Sequence, residues 1–243
     1  MATMSAIAMA VVVGGTMHPR HPGVFPRAEG RSRPRRVRAL VDDRPARSVH
    51  TCRWARRRRI AESRVRVVDV AVLESNNADA ATRKALRRLW DRAFGDRFDD
   101  TAADHAYGGV HVLVRDGGRL IGHASAVPRS IRFGDQPWRT VGYVEAVATD
   151  PERQGEGVGR LAMERLHEEI ASRWVAALLS TGRATGFYEL LGWQRWLGPT
   201  YTQTRAGVVL DGHEGLMVFS CDRSVALDRT VALTCQDRPG DVW

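Results

Sequence analysis

The sequence predicts an α/β domain built on a mixed sheet over residues 64–243, preceded by an Arg- and Pro-rich extension over 1–63. Three observations predict it. β-Branched or alternating runs suit strands, apolar residues recur at helical spacing in the stretches between them, and a glycine-rich loop joins a strand to one of the helices. The predicted order is β-α-β-β-β-α-β-α-β with at least one further strand, and it calls for both parallel and antiparallel pairings.

Val65, Val67, Val68, Val70 and Val72 form a β-branched run that suits the first strand. Asp79 is placed to cap a helix whose buried stripe is Leu86, Leu89, Trp90, Ala93 and Phe94. Residues 95–104 read as a polar loop. Residues 110–114 and 120–127 alternate on either side of Asp116-Gly117-Gly118, which is a hairpin signature. A second turn at Gly134-Asp135-Gln136-Pro137 leads to a third strand over 140–148. After Asp150-Pro151 and the glycine-rich loop, Leu161, Leu166 and Ile170 mark a helix ending near Arg173. A strand over 175–179, a short helix over 184–191 stopped by Gly192, and a strand over 216–219 complete the order.

The formal net charge of +9 is held unevenly. Residues 1–65 carry 15 Arg against 4 acidic residues, whereas the remainder has 22 basic against 24 acidic and is slightly negative. The extension lacks apolar periodicity and reads as disordered. An arm for nucleic acid is the reading from another functional class. No aromatic or amphipathic pattern accompanies the charge, so a dispensable extension is favoured and nucleic acid is not the expected partner.

Cys52, Cys221 and Cys235 are widely spaced without a CxxC pair, which signals neither a disulfide framework nor a zinc site and makes a cytoplasmic setting the expectation. The apolar run over 6–13 is too short to span a bilayer and has no basic residues ahead of it, so neither a membrane span nor a secretory signal is expected. The histidines form no HxxxH or HxH pair, and no metal is expected. GxSxG is absent and no cysteine sits in an activating context, which removes the usual acyl-enzyme routes. Trp174, Trp193 and Trp196 read as packing residues.

The most informative segment is Gln154-Gly155-Glu156-Gly157-Val158-Gly159, between a strand and a helix. Three glycines let backbone N–H groups turn toward one point, and the helix that follows presents its positive end there, as a pyrophosphate requires. The string matches neither the GxGxxG of a dinucleotide-binding loop nor the GK[ST] ending of a Walker loop. The spacing QxxGxG, after a strand ending Val-Glu-Ala-Val-Ala and an Asp-Pro turn, resembles the acyl-CoA-binding motif of the GNAT superfamily. Within it, Val141-Gly142-Tyr143-Val144-Glu145-Ala146-Val147, Gly108-Gly109-Val110-His111, Leu191-Gly192-Trp193 and Gly240-Asp241-Val242-Trp243 look like the aminoglycoside 2′-N-acetyltransferases, from about Val65 onward.

That resemblance implies direct acetyl transfer from acetyl-CoA to an amine on a polycationic sugar, by a homodimeric GNAT-fold enzyme. Another small-molecule amine or a protein N-terminus is the alternative acceptor. It implies that the backbone N–H of Val147 polarises the thioester carbonyl. Val147, Ala148 and Thr149 would run beside the pantetheine, and Gln154, Gly155, Glu156, Gly157, Val158 and Gly159 would hold the pyrophosphate. Glu145 occupies the position of a general base and Tyr188 that of the acid for the departing thiolate, although a strand Glu paired with an Arg and a core Tyr are the plainer readings of each. For the acceptor it implies Asp96 with Asp99 and Asp100, Ala146, Ser180, Glu214 with His213, and Asp241 with the Trp243 carboxylate. The chain departs from the family at Ala102, where an aspartate is expected, and in Leu179-Ser180-Thr181-Gly182, where a serine-rich stretch is expected.

Overall fold

The structure, a computed structural model, describes residues 37–41, 66–221 and 227–243. Strand β1 (Val37–Val41), which the sequence reading does not assign, lies within the Arg-rich extension and pairs antiparallel with β2 (Arg66–Glu74), Val37 opposite Val70. The expectation of disorder for the rest of the extension falls outside the described residues. In β2 the alternation of the sequence is realised directly, with Val68 and Val70 buried and Val67 exposed.

Helix α1 (Ala80–Phe94) begins where the Asp79 carboxylate accepts the Thr82 N–H at 2.7 Å, and it buries Leu86, Leu89, Trp90 and Phe94. The stretch 95–104 differs from its reading as a loop. It holds a 3-10 turn, Gly95–Arg97, and the short helix α2 (Asp100–His105), whose Ala102 N–H is capped by Asp99 at 2.8 Å. Six residues with only Ala102 and Ala103 buried are too few to show a helical period in sequence.

Strands β3 (Val110–Asp116), β4 (Arg119–Phe133) and β5 (Arg139–Thr149) form the predicted meander. Helix α3 (Val158–Arg173) then crosses the sheet to β6 (Ala176–Ser180), which lies parallel to β5. Beyond it come α4 (Thr185–Leu190), β7 (Gln194–Arg195), β8 (Thr200–Thr204), β9 (Gly207–Leu210), β10 (Leu216–Ser220) and β11 (Leu233–Gln236). The sheet runs β1-β2-β3-β4-β5-β6-β10-β7, and β11 joins the far end of β4 to the β8–β9 hairpin. Val175, expected in a strand, is exposed just before β6.

The two faces of this sheet are covered by different helices. On one, Ala162, Met163, Leu166 and Ile170 of α3 pack with Val110, Val112, Val114, Val144 and Val147; on the other, α1 and α2 cover Leu113, Leu120, Ala146 and Ala148. Each large aliphatic side chain so buried contributes about 2 kcal/mol of transfer free energy. Trp193 and Trp196 are buried, and Trp174 packs partly buried beside Gly142. Among the described residues no helix is long and apolar enough to cross a membrane.

Gly122 lets α3 begin close against β4, because a Cβ there would lie 2.4 Å from Val158 Cγ1 and 3.2 Å from Val114 Cβ. Gly122→Ala is expected to destabilise the protein by about 1–3 kcal/mol, read as a lower midpoint in urea, as the first turn of α3 is pushed off the sheet. A midpoint equal to wild type would show that Val158 yields freely.

Candidate functional site

The site is built on the parting of β5 and β6. Their parallel ladder contains only Gly142 opposite Ala177 and Tyr143 opposite Leu178, whereas β5 continues to Thr149. On the other edge of β5 the register with β4 moves from Ser125–Glu145 to His123–Ala148, so β5 carries one extra residue. Ala146 sits there at φ 50°, the only non-glycine residue in the left-handed region among those described. Neither ladder gives Ala146 or Val147 a register partner.

Directly after β5, the buried Asp150 is held by Arg92 at 2.7 Å and Arg119 at 2.6 Å, and it caps the 3-10 turn Pro151–Arg153. This fixes the root of the glycine loop. Gly155 at φ 82° and Gly157 at φ 84° adopt a conformation that a side chain would strain, and the space where a Cβ would lie is open at both. Gly157 is the N-cap of α3, where no side chain caps the helix and no acidic residue stands in the first turn. The amide groups and positive dipole end of a sixteen-residue helix are therefore offered to an anion. The one acid in the loop, Glu156, is neutralised by Arg153 at 2.6 Å, and Arg153 also binds Asp116 at 2.7 Å. Gln154 is half-buried, while Val158 and Gly159 are buried against the sheet.

Val147, Ala148 and Thr149 lie buried along β5 beside this loop. Tyr188 of α4 shares one buried cluster with Val147, Val158, Phe187 and Trp193, its ring meeting Phe187 edge-on at 5.1 Å. Burial pushes its phenol above the ordinary range.

The C-terminal segment returns to β5. Glu145 Oε1 accepts Arg238 Nη1 at 2.9 Å, with side chains only 11% and 15% exposed, and Arg238 Nε also donates to Asp241 O at 2.7 Å. Burial raises the Glu145 carboxyl, and the charge and hydrogen bond of Arg238 oppose that shift. Arg129 of β4 donates to Val242 O at 2.9 Å and Gln236 O at 3.2 Å, which anchors the segment, and both guanidinium groups lie over the Tyr143 ring. Gly240 comes so near α2 that a Cβ would meet Thr101 Cγ2 at 2.6 Å, and His105 Nε2 bonds Pro239 O at 2.9 Å.

From the opposite wall, Ser180 Oγ and His213 Nε2 are 2.6 Å apart. That contact depends on Gly215, at φ 87°, where a Cβ would strike Thr181 O at 2.2 Å. The His213 ring stacks with Trp243 at 6.5 Å between centroids. Burial lowers His213 and raises Asp241, and each charge partly offsets the other's shift. Tyr143 Oη, Asp241 Oδ2 and Trp243 Nε1 are buried without a hydrogen-bond partner among the described residues. They supply a donor–acceptor, an acceptor and a donor that a polar ligand would satisfy.

Glu145, Ala146, Ser180, Asp241 and Trp243 thus gather at the parting of β5 and β6. Glu214 is exposed beside them and lines, with His213, Thr200 and Arg195, a cavity of about 370 Å³. Of the acids after α1, two are engaged locally. Asp99 is used as the cap of α2, Asp100 pairs with Arg87, and the exposed Asp96 makes no hydrogen bond or ion pair among the described residues. Ala102 is buried in the apolar layer beneath α2. Glu145 is paired with an arginine, as the plainer reading of it allowed, but sequence reasoning did not identify Arg238, 93 positions away, and gave no site role to Arg129 or Tyr143. Among the described residues no group of three His, Cys, Asp or Glu side chains is arranged to hold a metal ion.

A family model described as an acetyltransferase (GNAT) domain matches residues 75–196. The chain is 34% identical over 177 residues to an aminoglycoside 2′-N-acetyltransferase of Mycolicibacterium fortuitum, a match that covers 71% of this chain and 90% of that protein. The crystal structure of the GNAT family N-acetyltransferase YhbS from Escherichia coli in complex with CoA superposes with a TM-score of 0.51 at 11% identity, covering 68% of this chain and 88% of that one.

Proposed function

This chain belongs to the GNAT acetyltransferase family, and from that premise we propose that it moves the acetyl group of acetyl-CoA to the 2′-amine of an aminoglycoside or a related amino sugar. The observation that carries the acceptor assignment is the return of the C-terminal segment to Glu145, which brings Asp241 and Trp243, with unpartnered buried polar atoms, beside a carboxylate at the parting of β5 and β6. The likeness to the Mycolicibacterium fortuitum enzyme supports the same reading.

Acetyl-CoA supplies an activated thioester. The open glycine loop and uncapped start of α3 fit its pyrophosphate, through the backbone of Gln154 to Gly159, with Val147, Ala148 and Thr149 beside the pantetheine. Val147 N–H donates to the thioester carbonyl oxygen as negative charge grows there. Glu145, directly or through one water, takes the proton that the attacking amine must lose. As the C–S bond breaks, Tyr188 gives its proton to the sulfur. Asp241, Trp243, Ser180 with His213, Glu214, Asp96 and the backbone of Ala146 contribute the polar and anionic surface for a polyamine.

The test is acetyl-CoA consumption by the full chain, read as free thiol, with one aminoglycoside bearing a 2′-amine and one bearing a 2′-hydroxyl. Thiol release is expected with the first only. Release with both would move the acetylated amine elsewhere on the sugar, and silence with both would transfer the assignment to another small-molecule amine or a protein N-terminus.

A further inference from the structure

Beneath the bulge lies a buried pair of imidazoles that the transfer chemistry leaves unused. His123 of β4 and His111 of β3 are both fully buried. His123 Nδ1 lies 2.8 Å from Ala146 O, His123 Nε2 lies 3.0 Å from His111 Nδ1, and His111 Nε2 lies 2.8 Å from Ser75 Oγ. Ser75 Oγ in turn accepts the N–H groups of Gly108 and Gly109 at 2.9 and 3.1 Å. We propose that His123, backed by His111 and Ser75, is a positioning residue that holds the Ala146–Val147 peptide with its N–H turned toward the thioester. The proposal rests on the reading that Val147 N–H is the donor to the thioester carbonyl.

Two arrangements of protons carry the chain of bonds. In the one that reaches Ala146, the Ser75 hydroxyl donates to His111 Nε2 at 2.8 Å rather than to Gly109 O at 3.0 Å, His111 Nδ1–H donates to His123 Nε2, and His123 Nδ1–H donates to Ala146 O, with one proton on each neutral ring. Burial lowers the pKa of His111 to about 4 and that of His123 well below its ordinary value, in keeping with two neutral rings. The indole N–H of Trp90 also approaches His123 Nδ1, at 3.1 Å, and would bond it in the opposite tautomer. That tautomer sets a nitrogen lone pair against Ala146 O at 2.8 Å, the shorter of the two contacts, which favours Nδ1–H.

The carbonyl so held belongs to the residue at φ 50°. A left-handed alanine at a bulge has no ladder bond to keep its peptide plane in place, and strain of this kind persists only where the surroundings fix it. A trans peptide directs its carbonyl and its N–H in opposite senses. Fixing Ala146 O on the His123 side therefore fixes Val147 N–H on the other. The histidine also polarises that peptide, which makes the N–H a better donor. A second shell that orients a donor in advance matters because the donor must already point at the place where charge develops.

The experiment has two arms. In the wild-type protein, long-range proton–nitrogen NMR correlations of the histidine rings should show His123 as the Nδ1–H tautomer; an Nε2–H ring would overturn the proposal whether or not acetyl is transferred. In steady-state kinetics with acetyl-CoA and an amine acceptor, His123→Leu should lower kcat about tenfold with KM for acetyl-CoA within about twofold, and His123→Asn, which keeps an N–H near the Nδ1 position, should recover most of the loss. An Asn variant as slow as the Leu variant, or a Leu variant at the wild-type rate, would remove His123 from the reaction. A wild-type protein that transfers acetyl to no amine would instead sink the underlying reading, with the tautomer still decided by NMR.

Discussion

Glu145→Gln is expected to lower kcat about 100-fold while acetyl-CoA binding stays near its wild-type value, because a general base acts in the transition state and has no part in holding the donor. The substitution is close to isosteric. The amide oxygen of glutamine can still accept Arg238 Nη1, so the contact at 2.9 Å that ties β5 to the C-terminal segment is retained while the proton acceptor is lost. Single-turnover rates and a calorimetric affinity for acetyl-CoA separate the two effects. Equal loss of binding and turnover would make Glu145 a structural partner of Arg238 and move the base elsewhere.

The contrast between the two halves of the site explains how far the sequence could be read. The glycine-loop half is local: the end of a strand, an Asp-Pro turn, three glycines and the start of a helix follow within about twenty residues, and each step has its own chemical signature in composition. Asp79 at the start of α1 and Gly192 after α4 were legible for the same reason, since caps and stops act on their immediate neighbours. The half around Glu145 is assembled across the chain. Arg129, Tyr143, Glu145, Ser180, His213, Arg238 and Asp241 come from three strands, one loop and the C-terminal segment, and only the family resemblance connected some of them beforehand. Arg238 looked like one more solvated arginine in a chain with many.

The bulge was hidden for a related reason. Nothing in Glu-Ala-Val-Ala announces a left-handed alanine, because the conformation is imposed by partners on β3, β4 and the β2–α1 connection rather than preferred by the residue. The late strands were missed because their pattern is faint. β7 is two residues long, β8 alternates threonines with polar residues, and β9 leaves Val208, Val209 and Leu210 exposed, so none presents a clean apolar period.

Arg238→Met is expected to move the acidic limb of the kcat/KM profile to higher pH, the second large effect the site predicts. Burial raises the Glu145 carboxyl and Arg238 opposes the rise, so removing the guanidinium leaves burial unopposed. The base form is then populated only at higher pH. Stability follows with a definite sign. A carboxyl whose folded pKa lies above its unfolded value binds its proton more tightly when folded, so its contribution is complete below the unfolded pKa and is lost as pH rises through the folded one. In wild type that window is narrow because Arg238 compensates; in the variant it widens. Urea titrations should therefore find Arg238→Met destabilised by about 3–5 kcal/mol at pH 8, where the lone buried carboxylate is forced to ionise, and much less at pH 5, where it stays protonated. Because Arg238 also holds Asp241 O at 2.7 Å, the KM for the acceptor should rise while that for acetyl-CoA does not. If the limb stays in place despite the loss of stability, the group titrating in the profile is not Glu145, and the ion pair serves only to dock the C-terminal segment.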